Sequence, residues 1–180
     1  MPATLAIARP AADEFLAYYG KYIDLVPGED AMPALSGQIA DTLRLLRPVD
    51  EAKALHRYAP GKWSVKEVVR HLADAERIFA YRALRMGRGD TTPLAGFDEN
   101  TYAPAGRFDE RPLADVLQEF EHVRAASLAL FRGFDDEALR RRGTANNATV
   151  SVRALTWIAA GHELHHRRLL VERYGVGTAT

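Results

Sequence analysis

The sequence predicts an all-α fold: an antiparallel four-helix bundle with a short extra N-terminal helix, in a single domain over residues 1–180. Three observations predict it. Apolar residues recur at helical spacing in four long stretches, and no stretch alternates convincingly with period two. Proline and glycine punctuate those stretches at Pro27-Gly28, Pro48, Pro60-Gly61 and Gly87 to Gly89. A chain of 180 residues, 47% of them hydrophobic, suits one sizeable core.

Taken in order, residues 12–25 carry Phe15, Tyr18, Tyr19 and Tyr22 at helical spacing and end before Pro27-Gly28. Residues 33–46 place Leu35, Ile39, Leu43 and Leu46 on one stripe, which Pro48 stops. Ser64-Val65-Lys66-Glu67 spells a capping box, so a helix starts there and runs to about residue 86. Its inward face holds Val65, Val68, Leu72, Ala75, Phe79 and Ala83. Residues 87–112 read as a long loop with Phe97, Tyr102 and Phe108, and loops of that length are often functional. The next helix spans 113–133, with Leu113, Val116, Leu117, Phe120, Val123, Ser127, Leu130 and Phe131 on one face. A helical turn follows at 135–141, then a loop or short extended piece through Ala145-Asn146-Asn147. Ser151 begins the last helix, which ends near Tyr174.

Composition narrows the function. Lys plus Arg and Asp plus Glu both count 24, so there is no net basic excess, and no nucleic-acid partner is expected. There is no cysteine, which excludes disulfides, thiolate metal ligands and a cysteine nucleophile; any thiol in the chemistry must be brought by another molecule. No apolar run approaches the ~18 residues of a membrane span, and the first residues lack a secretory pattern. A cytoplasmic protein acting on a small molecule, away from membranes, is expected.

The last helix holds the chemistry. "GHELHHRRLL", residues 161–170, contains H-E-x-x-H, the spelling of zinc proteases. With His162 at zero on a helical wheel, Leu155 falls near +20°, Ile158 near −40° and Leu169 near −20°. His162 is therefore central to the apolar stripe, His166 lies about 40° away inside it, and His165 sits about 60° away at its edge. Two inward imidazoles one turn apart can chelate one ion, whereas unpartnered they would cost ~1–3 kcal/mol each. Among the other histidines, His71 shares the apolar face of its helix, His122 points outward and His56 lies in a turn. His71 is thus the best third ligand. The protease reading is weak. The extended motif would need a glycine and a histidine where Leu169 and Glu172 stand, and no strand is expected to align a peptide. Glu163, about 100° from His162, falls toward the rim of the ligand face, for solubility or for contact with a neighbouring helix. Glu67 and Asp74 share the side of His71, as carboxylates to orient its ring or act as a base.

"GKWSVKEVVRHLADAERIFAYRALRMGRGD" and "GTANNATVSVRALTWIAAGHELHHRRLLVERYG" resemble the two signature regions of the DinB/YfiT-like family of metal-binding four-helix bundles, which is unrelated to the polymerase of the same name. The resemblance implies one ligand on the second bundle helix and an H-x-x-x-H pair on the last: His71, His162 and His166. It implies a divalent transition metal, nickel or zinc foremost, and a homodimer, to which the aromatic segment Phe15, Tyr18, Tyr19 and Tyr22 lends some support. It further implies a metal-dependent enzyme that transfers a low-molecular-weight thiol to an electrophile. The alternatives are a hydrolase using metal-bound hydroxide and a non-catalytic binder of metal or small ligands. Where the family commonly reads R-G-Q-I after the last histidine, this chain has Arg167-Arg168-Leu169-Leu170.

Overall fold

The computed structural model describes residues 6–177. After two single 3-10 turns, Ala12–Glu14 and Ala17–Tyr19, the chain forms α1 (Gly20–Ile23), α2 (Ala31–Leu46), α3 (Glu51–Ala54) and α4 (Val65–Gly87). There follow α5 (Glu99–Gly106), α6 (Leu113–Arg132), α7 (Asp136–Arg140), a two-stranded ribbon β1 (Arg142–Ala145) and β2 (Ala148–Ser151), and α8 (Val152–Glu172). The four long helices, α2, α4, α6 and α8, are the bundle.

Cross-helix contacts give their directions. Ser36 meets Arg132 while Arg47 meets Glu121, so α2 and α6 are antiparallel. Phe79 packs on His162 and His71 on His166, so α4 and α8 are antiparallel too. Arg77 meets Glu119 while Gly87 abuts Phe134, so α4 and α6 run the same way. Two helices therefore oppose the other two, in the chain order up, down, down, up. Neighbours in sequence, α4 and α6, are codirectional, so residues 88–112 must carry the chain back along the bundle. That crossover explains the length of the segment, which is partly helical through α5 rather than wholly a loop.

The helices start where side chains can cap them. Ser64 accepts from the Glu67 amide and Glu67 from the Ser64 amide, the reciprocal box expected from the sequence. Ser151 accepts from the Ala154 amide at the start of α8. Every inward residue named above for α4 is buried. The ribbon departs from an all-helical reading. Asn146 and Asn147 have φ of 51° and 59°, and Asn tolerates the left-handed conformation that a tight two-residue hairpin demands.

The N-terminal helix is shorter than the aromatic spacing suggests, because segments 6–30 are pinned to α8 rather than wound. The indole of Trp157 donates to the Ile7 carbonyl at 2.9 Å. Glu14, buried, accepts from Ser151 and pairs with Arg153, which holds its carboxyl down at about 2 against the opposing effect of burial. No helix among the described residues is long and apolar enough to cross a membrane.

Candidate metal centre

His71 sits two turns into α4 and His162 and His166 sit midway along α8, so the antiparallel crossing of these helices sets the three rings against one another. The His71 and His162 Nε2 atoms lie 3.0 Å apart, and those of His166 and His162 lie 3.1 Å apart. The ligand atoms of all three fall within 4.8 Å of one another, a group that could hold one metal ion. Separations of about 3 Å suit nitrogen ligands placed ~2.0–2.1 Å from one ion. Among the described residues no carboxylate completes the cluster.

The electrostatics suit cation binding. Burial pulls the His71 imidazole down to about 4. Burial, reinforced by the neighbouring histidines, holds His162 and His166 well below the usual histidine range. All three are therefore neutral near pH 7 and have lone pairs to give. The Nδ1 of His166 is buried with no protein partner, an unusual state for a ring that ligates.

Aromatic rings fix the trio from the sides. Tyr22 stands edge-on to His162 and His165, Phe79 edge-on to His162, and Trp63 tilts over His71. Tyr22 reaches this position because Gly161 lets α1 press onto α8: a Cβ there would overlap the Tyr22 backbone. Above the trio opens a cavity of about 500 Å³, which Tyr18, Tyr19, Arg82 and Asn146 also line.

The other expected residues divide. His122 and His56 are exposed, as anticipated. Glu67 is taken by its cap and by Arg57, and Asp74 by Arg77, so neither carboxylate turns to His71. Glu163 is not at the surface. It is 1% exposed and points away from the cavity, where it accepts from Gln38 at 2.5 Å and Thr42 at 2.6 Å and pairs with Arg124 at 2.7 Å. Arg124 also grips Glu76 through two bonds. Burial alone would lower the Arg124 pKa, but Glu163 and Glu76 overcome it and raise it. Of the aromatic side chains expected at the pocket, Phe97 and Trp63 line it. Tyr102 instead stacks outside on Phe97, Phe108 is buried against Arg70, and Trp157 is wholly in the core. Of the N-terminal tyrosines, Tyr22 is buried in the site, Tyr19 lines it, and Tyr18 lines it while remaining exposed. Arg82, Lys21 and Asn146 are cavity residues that the sequence reading did not single out.

The family model described as the DinB superfamily matches residues 34–170. A search by sequence among curated proteins returns no match. Among solved structures, YfiT from Bacillus subtilis, described as a probable metal-dependent hydrolase with an unusual four-helix bundle topology, aligns with a TM-score of 0.71 at 17% identity, over 93% of this chain and 94% of that one. A mycothiol-dependent maleylpyruvate isomerase aligns with a TM-score of 0.67 at 17% identity, over 82% of this chain; the match spans 60% of the isomerase chain. At this identity both likenesses are likenesses of fold.

Proposed function

Because the chain belongs to the DinB superfamily, we propose that it is a metal-dependent enzyme in which His71, His162 and His166 hold one divalent ion, nickel or zinc foremost, and that it transfers a low-molecular-weight thiol to an electrophilic small molecule. The observation that carries this reading is the convergence of three neutral Nε2 atoms, two from buried rings and one from half-buried His71, at the floor of a solvent-reaching cavity. Three protein ligands leave coordination positions open, and an ion so held lowers the pKa of a thiol or a water bound to it.

The residues around the trio favour thiol over water. A hydrolase gains from a carboxylate base beside the nucleophile. Here Glu163 faces Arg124, Glu67 faces Arg57 and Asp74 faces Arg77, each turned from the trio, and Glu99, which lines the cavity, stands outside the histidine cluster. A thiol, once ionised, needs no such base. Trp63 and Phe79 flank the trio with apolar surface, which excludes water around a nucleophile. The isomerase that shares this fold is by its description thiol-dependent, and YfiT by its description a probable hydrolase, so both chemistries need testing.

The test is cobalt-substituted protein titrated with mycothiol, bacillithiol or glutathione. Thiolate-to-cobalt charge-transfer bands are expected. Turnover of an ester or amide panel without thiol, and no such bands, would replace thiol transfer with hydrolysis. Neither bands nor turnover would leave a binding protein. The homodimer is part of the same proposal, and a monomeric mass by light scattering at tens of micromolar would remove it.

A further inference from the structure

Arg82 is a buried cation. It is 5% exposed, yet no carboxylate among the described residues pairs with it. One guanidinium nitrogen donates to the Ala95 carbonyl at 2.9 Å, and the group stands 5.9 Å from the Phe97 ring centroid. A guanidinium carries five N–H donors, so most of its hydrogen-bonding capacity is unspent on protein. Burying a charge without a counter-charge is costly, and arginine does not escape the cost by losing its proton. A strap to Ala95 alone would need only one neutral donor.

Its location gives the charge a use. Arg82 lines the same cavity as the trio. It follows His71 by eleven residues on α4, which puts it about 20° from His71 around the helix and roughly 16 Å along it. Ala75 and Phe79 lie between the two on the same cavity wall. The wall therefore runs from imidazoles, over an apolar stretch, to a guanidinium. The remaining charged side chains of the cavity are Lys21, which is exposed and rests over the Tyr18 ring, and Glu99, which forms no ion pair with Arg82.

We infer that Arg82 anchors a carboxylate, and that the cavity takes an elongated small molecule with an anionic head at Arg82, an apolar body along Ala75 and Phe79, and its far end at the histidine trio. Only the last clause rests on the metal-dependent reading; the anchor does not.

The probes are octanoate and its uncharged isostere octanamide, titrated calorimetrically into chelator-treated, metal-free protein and into zinc-loaded protein. Wild-type protein without metal is expected to bind octanoate at least about tenfold more tightly, the minimum for a charge-assisted pair over a neutral one. Arg82→Met should erase the preference, Arg82→Lys should keep part of it, and Lys21→Met should keep it whole. Equal affinity for both probes in the wild type, or binding of neither, overturns the anchor. So does a preference that survives in Arg82→Met or vanishes in Lys21→Met. If Arg82→Met fails to fold by circular dichroism, the wild-type and Lys21→Met comparisons still decide. Failure of the metal reading would appear separately, as zinc that does not stay bound, with the metal-free titrations unaffected.

Discussion

The backbone of Tyr22 rests directly on Gly161, with no room for a Cβ: one built there would overlap the Tyr22 carbonyl and come 3.0 Å from its Cα. One residue later on α8 stands His162, against whose edge the Tyr22 ring is set. The glycine thus places an aromatic wall of the site. Gly161→Ala should destabilise the protein by about 1–3 kcal/mol through overpacking, even though alanine is the better helix former by about 1 kcal/mol. Backbone must move, because the obstructing atoms are backbone. Urea denaturation checks this, and a variant as stable as the parent would mean that α1 is not held where described.

Metal content should follow the trio and not histidine in general. His162→Ala is expected to lose most of the bound ion, since it removes the nitrogen that both other rings approach. His122→Ala, at an exposed position, should retain it. Elemental analysis of untagged protein reads both, and full retention in His162→Ala would sink the ligand assignment.

Glu163 is expected to matter for stability more than for chemistry. Glu163→Gln keeps the shape of the side chain and leaves Arg124 its two bonds to Glu76, so a loss of about 1–3 kcal/mol is expected. Metal content should not change, and kcat/KM should change less than ~10-fold. Arg124→Met strands two buried carboxylates and should cost about 3–5 kcal/mol. Thermal melts paired with metal analysis separate the cases. A Glu163→Gln protein that keeps its metal and its stability but no activity would restore a protease-like base.

The metal-free protein should lose stability in acid over a defined window. Folded His71 titrates at about 4, against about 6.5 for an unfolded histidine, and His162 and His166 are depressed as well. Above pH 6.5 both states are neutral and these groups contribute nothing to the pH dependence. Below it the unfolded chain takes up protons that the folded chain refuses, so stability falls as pH drops from about 6.5 toward 4. Replacing His71 with glutamine should flatten part of that slope in denaturant titrations across the window. An unchanged slope would show that the ring is not buried as neutral imidazole.

The long helices were legible because their signal is local. The periodicity of α4 and α6 and the S-x-x-E box at Ser64 fix their bounds to within a residue or so. The trio was legible for the same reason, since wheel positions alone bring His162 and His166 onto the inner face. What escaped depends on partners distant in sequence. Arg124 lies only about 40° from Phe120, on the apolar face of α6, and Glu76 the same from Leu72 on α4. Such charges on apolar stripes were a signal, but only the folded bundle matches them to Glu163. Tyr22 was visible as an aromatic at helical spacing, yet its use beside His162 depends on Gly161, and nothing local links them.

The pinning of residues 7–14 to α8 also orders events in time. Ile7 and Trp157 are separated by 150 positions, and Glu14 and Ser151 by 137. Synthesis delivers the first partner of each pair long before the second. The stretch that ends in Tyr18, Tyr19 and Tyr22 must therefore wait, without its berth, until α8 has been made. It is placed among the last pieces, so the side of the cavity it forms closes only after the histidines of α8 have arrived. Such distant pairings slow folding and leave apolar rings uncovered meanwhile. During that interval the emerging chain offers three tyrosines and Phe15 to whatever in the cell shields nascent polypeptides.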